Sequence, residues 1–161
     1  MVKVHLEASS TISHGTSNGS RDKLKPSIEW RMHASIYNKR SKVNAVVHTH
    51  SPYTLAIAIS VNEFQHIIEE AKIVVGNPVI ISNKPSGSLD VANAVSNAFV
   101  GEKDKEQVRA VIIRNHGVVS IGNNICQARA VIESLEEWAK IYTISKIFGY
   151  CACYCIFFNS C

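Results

Sequence analysis

The stretch "RAVIIRNHGVVSIG", residues 109–122, constrains the fold more than any other part of the chain. It sets two short apolar runs, rich in Val and Ile, on either side of a polar break at Asn115 to Gly117. Runs of that length and composition read as strands, and so short a break joins them as a hairpin. Neither run alternates cleanly with polar residues, so both read as buried. A sheet begun by buried strands needs cover, and the neighbouring sequence offers it as helical patterns.

Upstream, "KPSIEWRMHASIYNKR" predicts a helix with Ser27 as N-cap, Glu29 in the first turn and Met32, Ile36 and Tyr37 as its apolar stripe. "NAVVHTH" predicts a strand, and "SPYTLAIAI" a helix with Ser51 at N-cap and Pro52 at N1. A helical or irregular stretch covers Glu63 to Lys72, and "NPVIIS" predicts a strand. "SGSLDVANAVSNAF" reads as a helix capped by Ser88, with Val91, Ala92, Val95 and Phe99 on one face. The last helix runs from Asn124 to about Phe148, with Asn124 and Gln127 in a capping-box arrangement. Its buried stripe is Ala128, Val131, Ile132, Leu135, Trp138 and Ala139. Residues 1–25 are polar and rich in Ser and Gly, so they read as loop with one brief strand near Val2 to Leu6. The sum is a mixed α/β domain.

A chain of 161 residues is ordinary for one domain, and 46% hydrophobic with 19% charged residues is the balance of a soluble protein. The net charge of +4 is mild, and no aromatic-basic module accompanies it, so nucleic acid is not an expected partner. Met1 to Gly19 lacks the apolar segment of a secretory signal. Ile141 to Phe158 is interrupted by Lys146 and Gly149 and is shorter than the ~20 apolar residues of a membrane span. The expectation is a cytoplasmic protein without a membrane anchor. Four of the five cysteines crowd "CACYCIFFNSC", in a spacing that fits neither a zinc knuckle nor a disulfide framework. Residues 149–161 therefore read as a Cys-rich tail of unknown role behind a domain spanning 1–148.

The chemistry concentrates in three places. In "AVVHTHSPYT" the alternation of a strand puts His48 and His50 on one side and Thr49 on the other. His116 sits in the break of the hairpin, beside Gly117, which lets backbone come close. If the two strands lie near each other, three imidazoles converge, a set that holds a catalytic metal with one position open. Each histidine alone reads as a hydrogen-bonded structural residue. Two facing one way at a strand end need partners. Glu29 is the nearby carboxylate, although an acid in a first turn also serves simply to complement the helix dipole. His33 reads as a packed or surface residue, and His5, His14 and His66 belong to no constellation.

Taken together, "KPSIEWRMHASIY", "AVVHTHSPYTLAIA", "AVIIRNHGVVSIG" and "ARAVIESLEEWAKI", in that order and spacing, resemble the class II aldolase/adducin family from about Lys25 to Phe148. The resemblance implies a single α/β domain with a central, mainly antiparallel sheet flanked by helices. It implies that His48, His50 and His116 bind Zn2+, or alternatively Mn2+ or Co2+, and that Glu29 is the acid/base and a further contact of the metal. Ser27 would contact substrate. The implied reaction is cleavage of a sugar phosphate such as L-fuculose 1-phosphate to dihydroxyacetone phosphate and an aldehyde. The alternatives within the family are a sugar-phosphate 4-epimerase and a non-catalytic interaction module. The family also implies a homo-oligomer, a tetramer, with the site near a subunit boundary. The chain departs from the family in three ways. Its phosphate-holding loops are not recognisable in residues 1–24, Ile28 stands where family aldolases often have a second serine, and no tyrosine stands at His66 to Ile68.

Overall fold

The computed structural model describes residues 27–62, 68–100 and 108–149. The expected strand near Val2 to Leu6, His5, His14, His66 and the cysteines of the tail lie outside those residues. The described elements run α1 (Trp30–Lys39), β1 (Ala45–Thr49), α2 (Pro52–Ser60), α3 (Glu69–Val75), β2 (Val79–Ile81), α4 (Leu89–Phe99), β3 (Ala110–Ile113), β4 (Gly117–Gly122) and α5 (Ile125–Ile147).

The hairpin forms as the apolar runs dictate. β3 and β4 pair antiparallel with Ile113 opposite Gly117, and both strands are buried along their whole length. β1 joins the other side of β4, antiparallel, with His48 opposite Val119. β2 joins β3 in parallel, giving a four-stranded, mainly antiparallel sheet in the order β1-β4-β3-β2.

Strand alternation then sorts the core into two layers. Val47, Ala110, Ile112 and Val118 face α2, α3 and α5, where Trp138 and Leu135 are fully buried. Val46, Val111, Ile113 and Val119 face the opposite way, onto Met32 and Ile36 of α1 and Val91, Val95 and Phe99 of α4. Apolar strands covered on both faces are what the hairpin sequence demanded. His48 follows Val46 by two, so alternation aims it at the α1 side of the sheet, toward Glu29.

α5 buries the expected stripe, from Ala128 to Ala139, without exception. Asn124 Oδ1 accepts the Gln127 amide at 2.8 Å, and Gln127 Oε1 accepts the amide of Asn123, one residue earlier than a capping box requires, at 2.6 Å. Ser88 caps α4 by accepting the Val91 amide at 3.1 Å. Two helix starts need correction. α1 begins at Trp30, with Glu29 in the N-cap position rather than the first turn, because Ser27 Oγ accepts the Glu29 amide at 3.2 Å and caps a preceding turn instead. Ser51 stands at the N-cap of α2, as expected, but its side chain makes no cap bond. The stretch read as Glu63 to Lys72 is helical only from Glu69, among the residues described.

Candidate metal centre

The end of β1 and the hairpin break meet at one corner of the sheet. There the ring centroids of His48 and His50, and of His48 and His116, are each 5.1 Å apart, and those of His50 and His116 are 5.8 Å apart. One nitrogen from each ring lies within 4.8 Å of the others, so the three form a group able to hold a metal ion.

Two of the rings, His48 and His116, are readied for that role by their surroundings. Val118 O lies 3.1 Å from His48 Nδ1, and since a carbonyl only accepts, Nδ1 carries the proton. This leaves the lone pair of the neutral ring on Nε2, which is buried with no hydrogen-bond partner. Burial, reinforced by His116 and His50, pushes the His48 pKa down to about 3. His116 is also lowered, chiefly by burial, against the opposing pull of Glu29. Both rings are thus neutral near pH 7 and lose no proton on binding a cation. His116 Nδ1 is a second buried nitrogen without a partner. Unpaired buried nitrogens are costly, and a cation would satisfy them.

Gly117 makes the close approach possible, though not through its backbone angle. The left-handed residue of the turn is Asn115, at φ 56°. A Cβ on Gly117 would lie 2.6 Å from His48 Cε1, 2.7 Å from Thr49 O and 2.9 Å from His50 Cδ2. Any side chain there would occupy the cradle in which the rings meet.

Glu29, 7% exposed, completes the corner. Its Oε1 lies 3.5 Å from His116 Nε2 and accepts the Gly87 amide at 3.1 Å. Its Oε2 is buried with no partner. Gly87 was not legible as part of the site; "PSGS" signals only the start of α4. At φ 70° it tucks against Ile28, and a Cβ there would sit 2.8 Å from the Ile28 carbonyl oxygen. The structure therefore brings Glu29, His48, His50 and His116 together, with Ser27 one turn away at the Glu29 amide. His33 is buried within α1 and outside the three-ring group.

An α/β/α layered domain with three histidines at a sheet corner able to hold a metal ion, and a carboxylate beside them, is the arrangement to compare with known proteins. The model of the Class II Aldolase and Adducin N-terminal domain matches residues 1–143, and the chain belongs to that family. It is 36% identical over 131 residues to an L-fuculose phosphate aldolase of Methanococcus maripaludis strain C7, covering 81% of this chain and 68% of that protein. It is 38% identical over 125 residues to a 5-deoxy-D-ribulose 1-phosphate aldolase of Bacillus thuringiensis serovar kurstaki, covering 78% and 56%. Among solved structures, L-fuculose-1-phosphate aldolase from Thermus thermophilus superposes with a TM-score of 0.68 at 22% identity, over 76% of this chain and 63% of that one, a likeness of fold. The sugar-phosphate aldolase from Thermotoga maritima gives 0.65 at 25% identity, over 79% and 57%. The chain spans about two thirds of the Methanococcus relative and just over half of the Bacillus one. Both of these relatives are named as aldolases, which are lyases. No described helix is long and apolar enough to cross a membrane.

Proposed function

We propose that this chain is a metal-dependent aldolase that cleaves a ketose 1-phosphate, with L-fuculose 1-phosphate as the first substrate to test. The observation that carries the reading is the convergence of three imidazoles with a carboxylate whose second oxygen is buried and unpartnered. His48, His50 and His116 would hold Zn2+, since three imidazoles suit it and leave a position open. Bound there, a divalent cation supplies a Lewis acid for the oxygens of a hydroxyketone phosphate.

The protein's own groups do the rest. Gly87 N–H and His116 hold Glu29 through Oε1, which leaves Oε2 to carry the proton. Glu29 would take the hydroxyl proton of the carbon that becomes the aldehyde as the carbon–carbon bond breaks, and would then give it to the carbon the aldehyde leaves. Ser27 Oγ accepts the Glu29 amide and keeps its own hydroxyl hydrogen for a phosphate oxygen. The named relatives support the substrate class: both L-fuculose phosphate and 5-deoxy-D-ribulose 1-phosphate are ketose phosphates that release an aldehyde on cleavage. We read the assembly as a cytoplasmic homotetramer with the site near a subunit boundary, on the family resemblance and on cysteines that suit a reducing compartment.

The deciding experiment is Glu29→Gln, which keeps shape and removes charge. Protein purified without added zinc should carry a divalent metal, and the variant should keep it. Aldol cleavage should fall by roughly two to four orders of magnitude, the usual worth of a general acid/base. Parent-level cleavage by the variant would remove Glu29 from the reaction. A parent protein that holds metal and cleaves no ketose 1-phosphate would favour the non-catalytic module.

A further inference from the structure

β1, which carries His48 in its ladder with β4, runs directly through His50 and Ser51 into α2, so whatever fixes the first turn of α2 bears on the approach of His50. A helix leaves its first amides without an intrahelical acceptor, and the N-cap side chain ordinarily takes one of them. Ser51 does not. Its hydroxyl is 2.9 Å from Thr49 Oγ1, on the face of the strand opposite the histidines. Pro52 has no amide hydrogen to satisfy.

The next two amides are taken by a residue from the far end of the chain. Tyr53 N donates to Glu136 Oε1 at 3.0 Å, and Thr54 N to Glu136 Oε2 at 2.9 Å. The hydroxyl of Thr54, which is fully buried, donates to the same Oε2 at 2.8 Å. The carboxylate also sits where a helix N-terminus favours negative charge. Its carrier, α5, is a firm reference, locked to the sheet by its buried stripe and by Ser120 Oγ donating to Ala128 O at 2.7 Å.

The geometry points to Glu136 as a positioning residue for the three-histidine centre: His48 is held by the β1–β4 ladder, and by capping α2 from α5 Glu136 sets where His50, beyond the end of β1, meets His48 and His116. This inference rests on the metal reading above. Glu136 touches neither the rings nor the reacting atoms, so it acts on metal affinity through the backbone. A glutamine there keeps one acceptor oxygen but turns an NH2 group toward an amide or hydroxyl that is itself a donor. Glutamine should therefore behave between glutamate and alanine.

The test is a cobalt(II) absorption titration of metal-free protein, for the parent, Glu136→Ala, Glu136→Gln and Leu135→Ala. Leu135→Ala is a control that weakens the α5 packing without touching the cap. Glu136→Ala should weaken cobalt binding about 2–30-fold, the most that loss of a helix cap can pass on to the site, and shift the ligand-field band. Glu136→Gln should lose less, and folded Leu135→Ala should bind as the parent does. If Glu136→Ala does not fold, Glu136→Gln carries the test alone. Parent-like affinity and spectrum in the Glu136 variants would overturn the inference, as would an equal loss in Leu135→Ala at the same folded fraction. A parent that takes up no cobalt would instead overturn the metal reading itself.

Discussion

Gly117 shows how much of the site hangs on one missing methyl group. Gly117→Ala would set a Cβ 2.6 Å from His48 Cε1 with the Thr49 carbonyl oxygen at 2.7 Å, and backbone cannot swing aside as a flexible side chain can. The substitution should cost about 1–3 kcal/mol, as overpacking does. It should also spread the rings, so a melt of the metal-free protein and a metal titration should both register it. His48 makes a second prediction, on pH. The unfolded chain protonates it near 6.5, whereas the folded protein keeps it neutral down to about 3. Between those values the unfolded state binds more protons, so stability is full above 6.5 and is lost as pH falls. His116, lowered as well, adds to the same slope. The Tm of metal-free protein should fall on acidification through that window, and fall less steeply in His48→Gln; a flat profile would contradict the burial of the ring. The histidine pair was legible because strand alternation fixes which side chains share a face. Gly87 was not, since its part is a backbone amide meeting a carboxylate from a distant segment, and no side chain announces it.

At the scale of elements, periodicity served best where burial was continuous. α5 has six buried positions on one face, and its stripe could be written down from sequence alone. Leu135→Ala should cost about 2–5 kcal/mol in urea unfolding, the toll of a cavity in a packed core. Helix starts were less legible. Ser27 and Ser51 are both residues that favour N-caps, yet one hydroxyl caps an earlier turn and the other turns to Thr49. Local propensity names the residue able to cap; which amide it meets depends on what else is near. Glu136 illustrates the converse. On a helix surface it reads as a solvated charge, and only the packing of α2 against α5 gives it three donors. Arg114 secures the other end of α2, its Nη2 donating to Val61 O at 2.8 Å.

For the whole molecule, the mixed sheet and its two helical layers follow from buried strands that need cover on both faces. Exposed apolar residues remain beside the site: Ile28 is 69% and Leu89 66% exposed, on either side of the Gly87 turn. Their position suits a subunit contact, so light scattering at micromolar concentration should give several times the monomer mass, four-fold for a tetramer. A clean monomer would overturn the oligomer. The pairing pattern of the sheet also sets an order in time. β3 and β4 close across three residues, the quickest kind of strand pairing, whereas Thr49 must find Val118 across a far longer stretch of chain before β1 docks on β4. Long loops close late, because their entropy must be overcome before the contact rewards it. His116 is therefore in place early, and His48 and His50 reach it only when the last distant strand arrives. In refolding, the colour of bound cobalt should trail formation of the β3–β4 hairpin, so the ion reports a finished chain rather than guiding an unfinished one.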